Sequence, residues 1–163
     1  MVVSGNKSGD PSYKIYNMVN QETDILLVED NPIDAQLVFK ALKKNNLDIK
    51  IEHVEDGAEA LDFLFARGRF SSNLKRKRPK LVLLDLKLPK MDGIQVLEEI
   101  RANKKTQTIP VVVMTTSRET SDITECYKMC ANSYLVKPVD FSEFSGTVML
   151  LCQYWLKLNV SLE

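Results

Sequence analysis

The sequence predicts an α/β domain built on a doubly wound parallel β-sheet with helices on both faces. Three observations carry that prediction. First, Ile25-Leu26-Leu27-Val28, Leu81-Val82-Leu83-Leu84 and Val111-Val112-Val113-Met114 are unbroken aliphatic runs, the pattern of strands buried on both sides. Second, each run ends on a polar residue: Glu29-Asp30, Asp85 and Thr115 respectively. Third, the stretches between them place apolar residues at helical spacing, so strand and helix alternate along the chain.

Each element has its own signal. Residues 1–22 carry Ser, Gly, Asn, Lys, Asp and Pro without clear periodicity and are expected to form a flexible leader. The folded domain is expected over residues 23–159. After the first strand Asn31 caps a helix with Pro32 at its first position, and Ala35, Val38, Ala41 and Leu42 form its buried stripe. Asn45-Asn46 stops it, and residues 49–54 alternate as a second strand. Asp56-Gly57 opens a second helix with Ala58, Leu61, Leu64 and Phe65 as its expected buried face. A long segment, residues 67–80, precedes the third strand. Pro89 and Asp92-Gly93 make a turn into a third helix with Ile94, Leu97 and Ile100 inward. The fourth strand follows Pro110, and a helix near residues 121–129 leads to a fifth strand, Tyr134-Leu135-Val136, ending at Lys137-Pro138. Asp140 and Glu143 open a last helix in the manner of a capping box, whose stripe is Phe141, Phe144, Val148, Leu151, Cys152 and Trp155. Trp155, near its end, is a candidate for exposure to a partner.

Composition narrows the classes. At 163 residues the chain is most simply one domain, and no output domain is expected beside it. Its 22 basic and 22 acidic residues cancel, so net charge points to neither nucleic acid nor membrane. No apolar run approaches the roughly 20 residues that span a bilayer, and the N-terminus has no signal-peptide core. A cytoplasmic protein is expected. Cys126, Cys130 and Cys152 form no CxxC pair and read as small residues of a reduced interior. His53, the single histidine, has no histidine partner and reads as structural.

In an open parallel sheet the site lies beyond the carboxyl ends of the strands. That rule brings Glu29, Asp30, Asp85, Thr115 and Lys137 to one edge. Clustered carboxylates repel and either share protons or hold a cation. Oxygen-only ligands favour Mg²⁺, which retains waters and accepts phosphate oxygens. Beside such an ion Asp85 is a candidate nucleophile towards a phosphoryl group. Lys137 would pair with one phosphoryl oxygen, and the Thr115 hydroxyl would donate to another. No histidine or activated serine is needed.

Glu29-Asp30, Asp85, Thr115 and Lys137-Pro138 together resemble the receiver domain of two-component response regulators, over roughly residues 24–158. The resemblance implies a flavodoxin-like five-stranded sheet in the order 2-1-3-4-5 with five helices. It implies that Asp85 is the phosphoacceptor for a histidine kinase. Mg²⁺ would be held by Glu29, Asp30, Asp85 and the backbone carbonyl of Lys87. Thr115 and Tyr134 would form a switch pair that reshapes the face of the fourth helix, fifth strand and fifth helix for a partner or for dimerisation. The Lys137–Pro138 bond is expected to be cis. The long segment after the second helix, Thr115-Thr116-Ser117 and the Tyr154-Trp155 pair resemble stand-alone receivers serving phytochrome-like sensor kinases.

Residues 67–80 depart from the common pattern. They hold seven basic residues and no acid. Taking those seven from the 22 leaves 15 basic against 22 acidic residues elsewhere. A solvated loop is the first reading, a dock for an acidic kinase surface the second, and nucleic-acid contact the last. Other classes fit less well. An Asp-nucleophile phosphatase of the haloacid-dehalogenase kind would carry an acid where Lys87 stands. A flavin binder would want a Ser/Thr/Gly-rich loop after the first strand, where Glu29-Asp30-Asn31-Pro32 would repel a phosphate. A phosphorylation-independent binding module would not need the complete acidic set.

Overall fold

A computed structural model describes residues 22–72 and 77–162. The expected leader, apart from Glu22, and the middle of the basic segment lie outside these residues. The described chain runs β1 (Ile25–Val28), α1 (Pro32–Lys44), β2 (Ile51–Val54), α2 (Gly57–Leu64), a 3₁₀ turn (Gly68–Phe70), β3 (Leu81–Leu84), α3 (Gly93–Ala102), β4 (Val111–Thr115), α4 (Thr120–Lys128), β5 (Ser133–Val136) and α5 (Phe141–Cys152). A π-helical stretch, Gln153–Leu158, continues α5.

All strand pairs are parallel, and the sheet order is β2-β1-β3-β4-β5. β1, β3 and β4 are buried at every position, as their aliphatic runs predict. Their side chains alternate between two cores. Leu26, Val28, Val82 and Leu84 face the layer of α2, α3 and α4, meeting Phe63, Val96, Leu97 and Ile100. Ile25, Leu27, Leu81 and Leu83 face α1 and α5, meeting Val38, Leu42, Phe144 and Val148. Each fully buried aliphatic side chain contributes about 1.5–3 kcal/mol over its exposed state. β2 and β5 are the sheet edges, which explains why both are only partly buried.

Helix starts follow the sequence. The Asn31 side chain accepts from the Ile33 and Asp34 amides at 2.9 and 3.4 Å, with Pro32 at N1. Asp56 accepts from Glu59 at 2.7 Å, Asp92 forms a full capping box with Gln95, and Asp140 accepts from Glu143 at 3.0 Å. These caps satisfy amides that have no partner inside the helix.

Several expectations need correction. α2 buries Gly57, Ala60 and Phe63, while Ala58 is exposed and Leu61, Leu64 and Phe65 are half-buried. Leu61 and Leu64 flank the core rather than fill it, because the cap at Asp56 turns the Ala60–Phe63 line towards the sheet. In α3, Val96 is buried and Ile94 only packs against the core. Phe141 is exposed at the start of α5, whereas Trp155 packs against the α1–α5 core. Cys126 and Cys152 are buried, but Cys130 is exposed past the end of α4 with φ of 59°. The 67–80 segment is not wholly loop. Phe70 is buried against Phe63, ring centroids 5.2 Å apart and nearly perpendicular, and so anchors the 3₁₀ turn. No described peptide bond is cis, so Lys137–Pro138 is trans. Trans is favoured by about 0.5–1 kcal/mol before X–Pro, and Lys137 reaches its partners in that form.

Candidate functional site

The carboxyl ends of β1, β3, β4 and β5 converge as the topology requires. β1 hands Glu29 into the site, with its amide bonded to the Val54 carbonyl at 3.0 Å. β3 hands on Asp85, with its amide bonded to Val28 at 3.0 Å. Beyond β5 the Lys137 amide donates to the Thr115 carbonyl at 2.8 Å, tying the ends of β4 and β5 together. Glu29, Asp85, Thr115 and Lys137 are all buried.

Lys137 is the hub. Its Nζ lies 2.7 Å from Asp85 Oδ2, 2.5 Å from Glu29 Oε2 and 2.8 Å from Asp34 Oδ2. Carboxylate oxygens of Glu29, Asp34 and Asp85 all fall within 4.8 Å of one another. Three carboxylates thus face one ammonium, a net negative charge suited to a divalent cation. Burial pushes the Glu29 carboxyl up to about 7, against the pull of Lys137 and with the Asp85 charge adding to the rise. Burial alone would lower Lys137, but Asp34, Asp85 and Glu29 outweigh it and hold the ammonium well above its ordinary value.

The remaining groups frame this centre. The Asn31 amide donates to Glu29 Oε1 at 3.1 Å, and His53 Nε2 lies 2.8 Å from the Glu29 carbonyl. His53 therefore stiffens the β1 end, as a structural residue. The Lys87 amide donates to Asp85 Oδ1 at 3.3 Å. The loop carrying Lys87 packs closely: a Cβ on Gly93 would overlap the Asp85 carbonyl oxygen, and one on Gly57 would overlap the Met91 carbonyl oxygen. Lys90, with φ of 63°, pins the same loop through an ion pair with buried Asp56. On the other side the Tyr134 hydroxyl donates to the Ser117 carbonyl at 3.2 Å, and the Ser117 amide donates to Thr115 Oγ1 at 3.4 Å. The Ser117 hydroxyl is held by Asp122 at 2.6 Å. Thr115 and Tyr134 therefore share one turn through Ser117.

Of the residues the sequence nominated, the structure brings Glu29, Asp85 and Lys137 into direct contact. Asp30 is exposed at the rim, outside the group of three carboxylates. Asp34 is the residue that sequence reasoning missed. Its signal was an acid in the first turn of the helix that follows β1, which the topology places at the same sheet edge. The oxygen-only donor set fits Mg²⁺ or a similar hard cation.

Comparison with known proteins agrees with this geometry. Residues 25–148 match the family model of the response regulator receiver domain. The chain is 42% identical to the probable methanogenesis regulatory protein FilR2 of Methanothrix harundinacea, over 84% of this chain and 86% of that one. It is 39% identical to response regulator Rcp1 of Synechocystis, over 82% of this chain and 88% of that one. The structure of Rcp1 in its Mn²⁺-bound form superposes with a TM-score of 0.77 at 37% identity, covering 85% of this chain and 98% of that one. The phosphorylated cyanobacterial phytochrome response regulator RcpA superposes with a TM-score of 0.80 at 36% identity, covering 87% of this chain and 99% of that one. The chain belongs to the response regulator receiver family of two-component signalling.

Proposed function

We propose that this chain is a cytoplasmic response regulator whose receiver domain, over residues 23–159, accepts a phosphoryl group from a sensor histidine kinase on Asp85. The observation that carries this reading is the Lys137–Asp85 contact of 2.7 Å inside a buried group of carboxylates. In the transfer an Asp85 carboxylate oxygen forms a bond to phosphorus as the bond from phosphorus to the kinase imidazole breaks, and the imidazole nitrogen keeps the electron pair. Lys137 pairs with a phosphoryl oxygen and Thr115 donates its hydroxyl to another, so both position and neutralise the group. Glu29, Asp30, Asp85 and the Lys87 carbonyl would hold Mg²⁺, with Asp34 close by. When bound, the ion offsets the charge of the carboxylates and of the incoming phosphoryl group.

The switch is proposed to run through Ser117. Movement of the Thr115 hydroxyl towards a phosphoryl oxygen breaks its contact with the Ser117 amide, and Tyr134 then loses its place on the Ser117 carbonyl. The face of α4, β5 and α5 changes as a result. Exposed Tyr127 on α4 and Leu150 on α5 give that face apolar contacts for a downstream protein or a second copy.

The test is intact-mass spectrometry after incubation with acetyl phosphate and Mg²⁺, beside an Asp85→Asn variant and an EDTA control. One added phosphoryl group that needs both Asp85 and Mg²⁺ is the expected result. An adduct that survives in Asp85→Asn would sink the assignment. Sizing the same samples reads any phosphorylation-linked dimer, and transfer from a phosphorylated histidine kinase tests the donor.

A further inference from the structure

At the end of the sheet opposite Asp85 the structure holds a second site of different chemistry. The C-terminal end of α2, the segment before β3 and the turn after α3 border an open cavity of about 650 Å³. Arg67, Lys77, Arg78, Lys104 and Lys105 line it, and among the described residues no acid does. Of the lining cations Lys77 is compensated by Glu22, and the neighbouring Arg69 and Lys80 pair with Glu59 and Asp24. Among the described residues Arg67, Arg78, Lys104 and Lys105 make no ion pair with a carboxylate. The ends of α2 and α3 attract a cation each through their dipoles, which leaves a surplus.

Two of these cations are already placed. The Arg78 guanidinium donates to the Lys105 carbonyl at 2.8 Å, joining two walls of the cavity. The Arg67 guanidinium lies 5.0 Å from the centroid of the Phe65 ring, forming a planar platform at the third wall. Guanidinium forks match phosphate oxygens in two-pronged geometry, and a guanidinium plane also stacks on flat rings. The volume falls in the range of small-ligand pockets, about 300–1,000 Å³, and the lining mixes cations with Phe65 and Pro79.

We propose that this cavity binds a small organic polyphosphate of the nucleoside di- or triphosphate class. The phosphates lie against Arg78, Lys104 and Lys105, and the ring system stacks on the Arg67–Phe65 platform. The site sits at the amino ends of the strands, apart from the acidic centre, so this chain would sense a phosphorylated metabolite independently of phosphorylation at Asp85.

The experiment is isothermal titration calorimetry of the full chain with ATP in EDTA, which keeps the acidic centre from taking a metal–nucleotide complex. Adenosine, tripolyphosphate and an oligoglutamate peptide serve as comparison ligands. ATP is expected to bind with Kd at or below about 1 mM, and Asp85→Asn is expected to bind it equally well. The exposed pair Lys104→Glu with Lys105→Glu should weaken ATP by about tenfold or more. Arg67→Gln should reduce the preference for ATP over tripolyphosphate while leaving tripolyphosphate binding nearly unchanged. Circular dichroism checks that both variants remain folded. Absence of ATP binding, binding unchanged by charge reversal, or tighter binding of oligoglutamate than of ATP would each overturn the proposal. Equal affinity of ATP and tripolyphosphate in the unaltered protein would overturn the nucleotide class.

Discussion

Lys137 Nζ lies 2.7 Å from Asp85 Oδ2, across two β-strands and 52 positions of sequence. The same nitrogen also meets Glu29 and Asp34, so one cation compensates three buried or half-buried acids. Its removal leaves a cluster of like charges with no counter-ion. Breaking a buried pair by deleting one partner costs about 3–5 kcal/mol. Lys137→Met is therefore expected to lose that order of stability in urea unfolding at neutral pH, measured in EDTA. Adding Asp85→Asn to Lys137→Met should recover part of the loss, because one of the crowded charges is gone. A loss below about 1 kcal/mol would show that water already screens the cluster.

The Tyr134 hydroxyl and Thr115 Oγ1 both bond to Ser117, one at its carbonyl and one at its amide. Tyr134→Phe removes a single hydrogen bond, and a stability loss of about 1 kcal/mol is expected, with phosphorylation by acetyl phosphate retained. Thr115→Val keeps the side-chain shape but removes the hydroxyl. It should still allow an adduct on Asp85 while uncoupling Tyr134 from it. A fluorotyrosine label at position 134 reads this by NMR: its resonance shifts on phosphorylation of the unaltered protein and stays put in Thr115→Val. A shift of equal size in both would disconnect Thr115 from the switch.

Glycine positions separate close approach from mere flexibility. At Gly93 a Cβ would run into two backbone groups, overlapping the Asp85 carbonyl oxygen and lying 2.7 Å from the Leu86 Cα. Backbone cannot rotate aside as a side chain can. Gly93→Ala is expected to destabilise by about 1–3 kcal/mol or more and to disturb the Lys87 loop beside the acceptor. Gly146, inside α5, is the opposite case: a methyl group added there would meet nothing within 4 Å. Gly146→Ala should stabilise by about 0.5–1 kcal/mol through helix propensity alone. Thermal unfolding of the two variants settles both signs, and a neutral Gly93→Ala would refute the tight-loop account.

The strands were legible because burial on both faces leaves one solution, unbroken aliphatic runs such as Leu81–Leu84. The acidic edge was legible for the same reason: polar residues at strand ends have one place to go. Asp34 was not, since an acid in a first helical turn is ordinary helix chemistry until the neighbouring strand end is known. Arg101 was hidden likewise. It donates to the carbonyls of Cys130, Gln107 and Ile109 and to Asn132 Oδ1, contacts that only the tertiary fold assembles. The face of α2 was misplaced because an eight-residue helix gives too few turns to fix its phase from apolar spacing. The cis expectation for Lys137–Pro138 came from resemblance alone, and no local residue pattern specified it.

Asp56 links acid stability to the loop beside the acceptor. Its carboxyl is buried at the start of α2, and burial alone would raise it. Lys90 and the Glu59 amide outweigh that effect and hold it below its ordinary value of 3.8. A carboxyl lowered in the folded state contributes stability that is fully present above the unfolded value. That contribution is lost as pH falls below 3.8 and through the folded value. Asp56→Asn keeps a good helix cap but lacks the charge. The unaltered protein is therefore expected to be the more stable at neutral pH, and the gap should close as pH drops below 3.8. Asp56→Ala, which also loses the cap, should cost about 1–2 kcal/mol at neutral pH. Urea unfolding of the three proteins from neutral pH down to about pH 3 measures the gap directly. A gap that stays constant over that range would mean the Lys90 pair contributes nothing and that Asp56 acts as a cap alone.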